Sequence, residues 1–173
     1  SMEAVKSAKL DLQNLNLDRM GVIIGCGIGG IKTLENEHNI INNKGARRVS
    51  PQFVAKMIPN IAGGHLSMKF GFRGPSQTVI SACASSNDAI GIALRLIRYG
   101  DADVILTGGT EASITPLTIA GFGNMRALSQ NCENPTKASR PFDANRDGFV
   151  LSEGAGMIVL ESEKHALDRG API

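Results

Sequence analysis

Apolar residues recurring three or four apart alternate along the chain with short β-branched runs. The pattern predicts a helix up to about Gln13, a strand at Gly21 to Gly25, a helix around Pro59 to Phe70 and a strand at Gln77 to Ile80. A helix from about Ala84 to Tyr99, strands at Asp103 to Thr107 and Met157 to Glu161, and a closing helix from Ser162 follow. Such alternation of helix and strand is the signature of an α/β fold.

The runs Val104-Ile105-Leu106 and Met157-Ile158-Val159-Leu160 lack the apolar and polar alternation of a half-exposed strand. Both are therefore expected to lie covered on both faces, in a sheet between helical layers. The chain has 20 glycines, several paired as in Gly29-Gly30, Gly63-Gly64 and Gly108-Gly109, which suits tight turns and a site lined by main chain. No internal repeat, low-complexity tract or long linker interrupts it.

Composition narrows the function classes. At 173 residues, 42% hydrophobic and 20% charged, the chain is sized for one globular domain with a core. No apolar run is long enough to cross a bilayer, and the first residues lack the order of a secretory signal. The net charge of +2 is too small to point to nucleic acid. Locally, Lys44, Arg47 and Arg48 form a basic cluster, either a solvated loop or a landing site for an acidic partner. Three cysteines, 26, 83 and 132, show neither Cys-x-x-Cys spacing nor a neighbouring histidine. That pattern predicts a reducing compartment, no metal site and at least one thiol free for chemistry.

Cys83 follows the β-branched stretch Thr78-Val79-Ile80 and precedes a helix whose first turn holds Ser85, Ser86, Asn87 and Asp88. A sulfur at a strand-to-helix turn meets the partial positive charge and free N–H groups of the helix N-terminus, which favour a nucleophile. The same turn can aim the Cys83 N–H at the oxygen of a thioester under attack. By spacing alone, though, a lone cysteine reads more readily as a small buried hydrophobe.

The wording around Cys83 changes that balance. Lys69-Phe70-Gly71-Phe72-Arg73-Gly74-Pro75-Ser76, Ser81-Ala82-Cys83-Ala84-Ser85, Tyr99-Gly100-Asp101-Ala102-Asp103-Val104 and Gly108-Gly109-Thr110-Glu111-Ala112 closely resemble the elongating β-ketoacyl-acyl-carrier-protein synthases. The similarity runs on through Gly121-Phe122-Gly123, Ala127-Leu128-Ser129, Ala138-Ser139-Arg140-Pro141-Phe142-Asp143, Arg146-Asp147-Gly148-Phe149-Val150 and Glu153-Gly154-Ala155-Gly156. It covers essentially the whole chain. Several long motifs in the right order are a far more specific signal than any one of them.

The resemblance implies a thiolase-like fold of layered helices and sheets (α-β-α-β-α), of which residues 1–173 form most of the N-terminal half, with the C-terminal half absent. It matches Cys83 to the family's acyl-accepting nucleophile, a residue that relatives without condensing activity replace. It matches Ile28, Ile31, Leu34 and Phe122 to the acyl pocket, with Phe53 contributed across a dimer interface. Arg47, Arg48 and Arg126 match the surface that docks acyl carrier protein, the acidic partner the basic cluster calls for. The implied reaction is decarboxylating condensation of an acyl thioester with malonyl carrier protein in fatty-acid elongation. It needs no metal or redox cofactor, and is placed in a bacterial cytoplasm or a plastid-like organelle, in a homodimer.

The family also uses two histidines from motifs of its C-terminal half, and neither motif is found here. His38, His65 and His165 read as structural or surface residues, so this segment is expected to carry acyl transfer to Cys83 but not the decarboxylation. The opening strand of the family is also missing, and a half-fold is expected to expose apolar surface.

Three competing readings stand beside this one. Gly25-x-Gly27-x-x-Gly30 after a strand matches the dinucleotide fingerprint. The stretch ~20 residues on, where an acid should hold the ribose, is instead Gly45-Ala46-Arg47-Arg48-Val49-Ser50, so only an NADP variant would use this loop. Asp143-x-Asn145-x-Asp147-Gly148 copies half of a calcium loop, but Gly154 stands where the bidentate Glu belongs; a turn is expected there. In the third, the chain is a non-catalytic lobe that pairs with a separate subunit.

Overall fold

Residues 1–173 are described by a computed structural model. The chain forms α1 (Met2–Ser7), β1 (Met20–Gly25), α2 (Ile31–Lys44), α3 (Phe53–Met57), α4 (Ile61–Phe70) and β2 (Ser76–Val79). It continues with α5 (Ser85–Arg98), β3 (Val104–Glu111), α6 (Pro116–Asn124), β4 (Gly154–Glu161) and α7 (Glu163–Asp168). The four strands make one sheet in the order β2-β1-β3-β4, with β1 parallel to β2 and β3, and β4 antiparallel to β3. No helix is long and apolar enough to cross a membrane.

All six residues of β1 are buried, as are the first six of β3. Successive side chains of a strand point to opposite faces, so the continuous apolar runs feed two cores. Met20, Val22, Val104 and Leu106 pack with Val5 and Phe72 on one face, under α1 and α4. Ile23 and Ile105 pack on the other with Ala89 and Ala93 of α5. Two alanines four apart form a smooth stripe that lets this helix lie close to the sheet.

That closeness is extreme at the C-terminal ends of β1 and β3. A Cβ on Gly25 would stand 2.4 Å from the carbonyl carbon of Ser85, and one on Gly109 would stand 1.8 Å from Ser86 Oγ. These glycines let the first turn of α5 rest on the strands. At the opposite end, Arg19 locks β1 to the start of β3 through Asp103, with Nε–Oδ2 at 2.7 Å and Nη2–Oδ1 at 2.9 Å.

The structure differs from the sequence pattern in several places. The first helix ends at Ser7, Lys9 takes a left-handed φ of 48°, and Asp11 accepts from the Gln13 amide to turn the chain. Leu10, Leu12 and Leu15 reach the first core from irregular backbone, and Leu17 from a 3-10 turn, Leu17–Arg19. Within residues 1–173 strand β4 is not covered on both faces, and Ile158 is 44% exposed. Helix α2 is absent from the pattern reading; it buries no residue, and Ile31, Leu34 and Ile41 share one face amid a largely polar sequence. Helix α6 carried a start signal that was legible, Thr115 as N-cap followed by Pro116.

Candidate active site

The turn between β2 and α5 presents Cys83. Ala82, just before it, adopts a left-handed φ of 52°, a conformation that costs a residue with a Cβ about 1 kcal/mol. Ser85, 4% exposed, braces that turn. Its hydroxyl accepts from the Ser81 amide at 2.9 Å and donates to the Ala82 carbonyl at 2.7 Å. The Ser81 hydroxyl in turn donates to the Asp88 carboxylate. Held this way, Cys83 is an exposed free thiol at the N-terminus of a 14-residue helix.

The thiol opens into a cavity of about 570 Å³ at the C-terminal ends of β1 and β3. Its lining includes Cys83, Ile28, Phe122, Phe149 and Leu151, with Glu111 and Glu153 among the polar groups. Phe122 and Phe149 meet edge to face with ring centroids 5.3 Å apart. Beside it lies a basic cavity of about 670 Å³ that shares Phe149 and is lined by Arg126, Arg140 and Arg146. The arrangement is an exposed thiol at the wall of a largely apolar chamber, with arginines lining the cavity beside it.

Glu111, the last residue of β3, organises the opposite wall. Its Oε2 accepts from the amides of Gly27 at 2.9 Å and Ile28 at 2.7 Å, and its Oε1 from that of Gly29 at 3.1 Å. These are the N–H groups that a dinucleotide fingerprint would offer to a pyrophosphate. An internal carboxylate already fills that nest. After α2 the chain enters a 3-10 turn at Ala46–Arg48 and then α3, with no second strand to present a ribose-binding acid. The oxidoreductase reading is therefore set aside.

The acidic loop at Asp143 to Asp147 is a turn. Asp143 Oδ1 accepts from the Asn145 amide at 2.7 Å, and Asp147 takes the Ser129 hydroxyl at 2.7 Å and the Gln130 amide at 2.9 Å. Those bonds, the Ser129 hydroxyl foremost, hold the Asp147 carboxyl below its ordinary range. Gly148, with φ 145°, makes the close approach to Leu128 and Ser129 that closes the turn.

With this geometry in view, comparison with known proteins is decisive. Residues 1–166 match the family model described as Beta-ketoacyl synthase, N-terminal domain. The chain belongs to the β-ketoacyl synthase family. It is 48% identical over 173 residues to a 3-oxoacyl-[acyl-carrier-protein] synthase 2 of Synechocystis, covering 100% of this chain and 42% of that protein. It is 50% identical over 171 residues to the synthase of the same name from Staphylococcus aureus strain N315, covering 99% of this chain and 41% of the relative. The chain thus spans less than half the length of these curated relatives, and it matches their N-terminal part.

Solved structures agree on the fold. A ketosynthase of a type II polyketide system, solved with its acyl-carrier protein and bound to a hexaketide, superposes with a TM-score of 0.91 at 34% identity, covering 98% of this chain and 43% of that one. A β-ketoacyl synthase from Burkholderia phymatum STM815 gives 0.83 at 31% identity, covering 99% and 44%. The fold of this β-ketoacyl synthase segment is thiolase-like.

Of the residues singled out in the sequence, Cys83, Ile28 and Phe122 come together around the first cavity, and Arg126 lines the second. Ile31 and Leu34 lie on α2 and Phe53 on α3, which packs against it, outside the cavity lining. Arg47 and Arg48 are exposed on the 3-10 turn after α2. None of the three histidines reaches the cavity; His165 instead contacts Glu161. The motif reading passed over Ser85, Glu111 and Phe149. For Glu111 a signal existed, since a carboxylate closing a buried strand requires partners.

Proposed function

We propose that the protein containing this segment is a condensing enzyme that elongates fatty acyl chains, with Cys83 taking the acyl group. The observation that carries this is the exposed thiol of Cys83, braced at the N-terminus of α5 and facing the apolar cavity of Ile28 and Phe122. Family membership and the names of the relatives support it.

In the first half-reaction the Cys83 sulfur attacks the carbonyl carbon of an acyl thioester borne by acyl carrier protein. The Cys83 N–H stabilises the oxyanion, the carrier thiol leaves, and the acyl group remains on Cys83. In the second, malonyl carrier protein loses carbon dioxide. The resulting enolate carbon attacks the Cys83 thioester, forming the β-ketoacyl thioester and returning the thiol. Decarboxylation draws on groups beyond those that these residues place at the cavity, because no histidine lies there.

Acyl carrier protein is the proposed partner, docking on Arg47, Arg48 and Arg126; the related ketosynthase solved with its carrier supports the pairing. Ile31, Leu34 and Phe53 are proposed to extend the acyl pocket, Phe53 from the second subunit of a homodimer. A reducing cytoplasm or plastid-like organelle suits three free cysteines.

Intact-mass spectrometry after incubation with an acyl carrier-protein thioester tests the proposal. An acyl adduct is expected on Cys83 and not in Cys83→Ala, with β-ketoacyl product once malonyl carrier protein is added. Carrier binding without an adduct in either form would instead favour a non-catalytic lobe.

A further inference from the structure

We propose that Glu111 is a positioning residue for the acyl pocket, holding the Gly27–Gly29 loop so that Ile28 is fixed against the acyl chain bound to Cys83. The proposal rests on the reading of Cys83 as acyl acceptor and adds a determinant of chain-length selection outside the apolar lining itself.

The carboxylate bridges two elements that would otherwise meet only at the sheet. Glu111 ends β3, while its three amide partners lead from β1 into α2. The shortest of the three bonds, 2.7 Å, is to the amide of Ile28, whose own side chain lines the Cys83 cavity. Cys26, buried at the start of the same loop, places its sulfur 3.9 Å from Oε1 as a further weak donor. Burial first, and the Glu111 charge second, push the Cys26 thiol up, so it stays protonated and able to donate.

Local sequence makes room for this arrangement. A Cβ on Gly27 would stand 3.2 Å from Glu111 Oε2, and Gly29 adopts a φ of 76° against Pro59. The Glu111 carboxylate has no basic side chain paired with it, so its charge is met by three main-chain N–H groups and the weak Cys26 thiol donor. Charge-assisted bonds of this kind are about twice as strong as neutral ones. Without them, three amides at the edge of an apolar chamber would recruit water, and Ile28 would lose its fixed place.

The test compares the native protein with Glu111→Gln and Glu111→Ala, using hexanoyl- and tetradecanoyl-pantetheine as acyl donors and iodoacetamide as a small thiol probe. Cys83 acylation is followed by mass spectrometry and amide hydrogen exchange is read at Gly27, Ile28 and Gly29. Expected in Glu111→Ala are faster exchange at these amides and a long-to-short acylation ratio changed by about tenfold, with alkylation of Cys83 close to native. Glu111→Gln, which keeps an acceptor oxygen and the side-chain volume, should fall between. An acylation ratio unchanged in both variants, whether or not exchange rises, overturns the proposal and leaves Glu111 a fold determinant. A native protein alkylated at Cys83 but acylated by neither donor overturns the underlying reading as well, and is distinguished by the native sample alone.

Discussion

The Ser85 hydroxyl lies 2.7 Å from the Ala82 carbonyl, closing across the turn that carries Cys83. The same oxygen receives the Ser81 amide, so one small side chain satisfies a donor and an acceptor within a backbone turn that includes a left-handed alanine. The turn that carries Cys83 is thus braced by a residue two positions after it.

Ser85→Ala removes both bonds and strands the Ser81 amide, while the Ala82 carbonyl keeps the Ser85 amide at 3.2 Å. The expected loss is about 1–2 kcal/mol of stability, read by urea denaturation. Acylation of Cys83 should slow by more than the fall in folded fraction explains. Unchanged acylation in a destabilised variant would mean that the turn holds its shape without the brace.

The two glycines under α5 separate by what their added methyl would strike. At Gly25 the obstacle is the backbone of Ser85 and Ser86, with carbonyl carbon, amide nitrogen and carbonyl oxygen all within 2.6 Å of the new Cβ. At Gly109 the nearest atom is Ser86 Oγ, which can rotate away, leaving Ser86 Cβ at 2.9 Å and the Gly25 carbonyl at 3.2 Å as the remaining close contacts. Gly25→Ala is therefore expected to cost roughly 3 kcal/mol and displace the Cys83 turn, and Gly109→Ala to cost less. Equal losses in denaturation midpoint would contradict this reading of the packing.

Local pattern revealed the strands because β1 and β3 are buried on both faces and so carry unbroken apolar runs. It misplaced the covering of β4, since an apolar run does not reveal which elements within these residues lie over each face. The short apolar face of α2, Ile31, Leu34 and Ile41, is diluted by polar neighbours, and Leu10 and Leu12 imitated a helix while packing from irregular backbone. Cys83 stood out through its motif neighbours, and it lies exposed at the cavity wall. Glu111 and Ser85 act through main-chain atoms, and a bond from Glu111 to residues 82 to 84 positions earlier leaves no trace in spacing.

Acid should loosen the seam between α1 and α7. Glu161 receives Arg169 in two bonds of 2.6 Å and also His165, while Arg169 holds the carbonyls of Ala8 and Lys9 at 2.9 and 3.0 Å. Burial raises the Glu161 pKa, but the bonds to Arg169 and His165 outweigh it and leave the carboxyl below its ordinary value. A depressed carboxyl stabilises the fold fully above its unfolded pKa, about 4.3, and that contribution is lost as pH falls through the lower folded value. Stability measured from pH 6 down to about 3 should decline less steeply in Glu161→Gln than in the native protein, from a lower starting point. Parallel curves would show that Glu161 titrates alike in both states.

The basic turn offers the sharpest separation of docking from chemistry. Arg47 and Arg48 sit exposed after α2, and neither forms an ion pair within the chain, so both charges are available to an acidic surface. Rim charges act mainly on encounter and on salt dependence. The double substitution Arg47→Glu, Arg48→Glu should raise KM for acyl groups borne on carrier protein by about tenfold, leaving acylation from acyl-pantetheine close to native. Added salt should weaken the native protein's use of carrier substrate and affect the variant less. If both donors lose equally, the substitutions have disturbed the cavity through α2; if neither loses, the carrier lands elsewhere, with Arg126 the next residue to reverse.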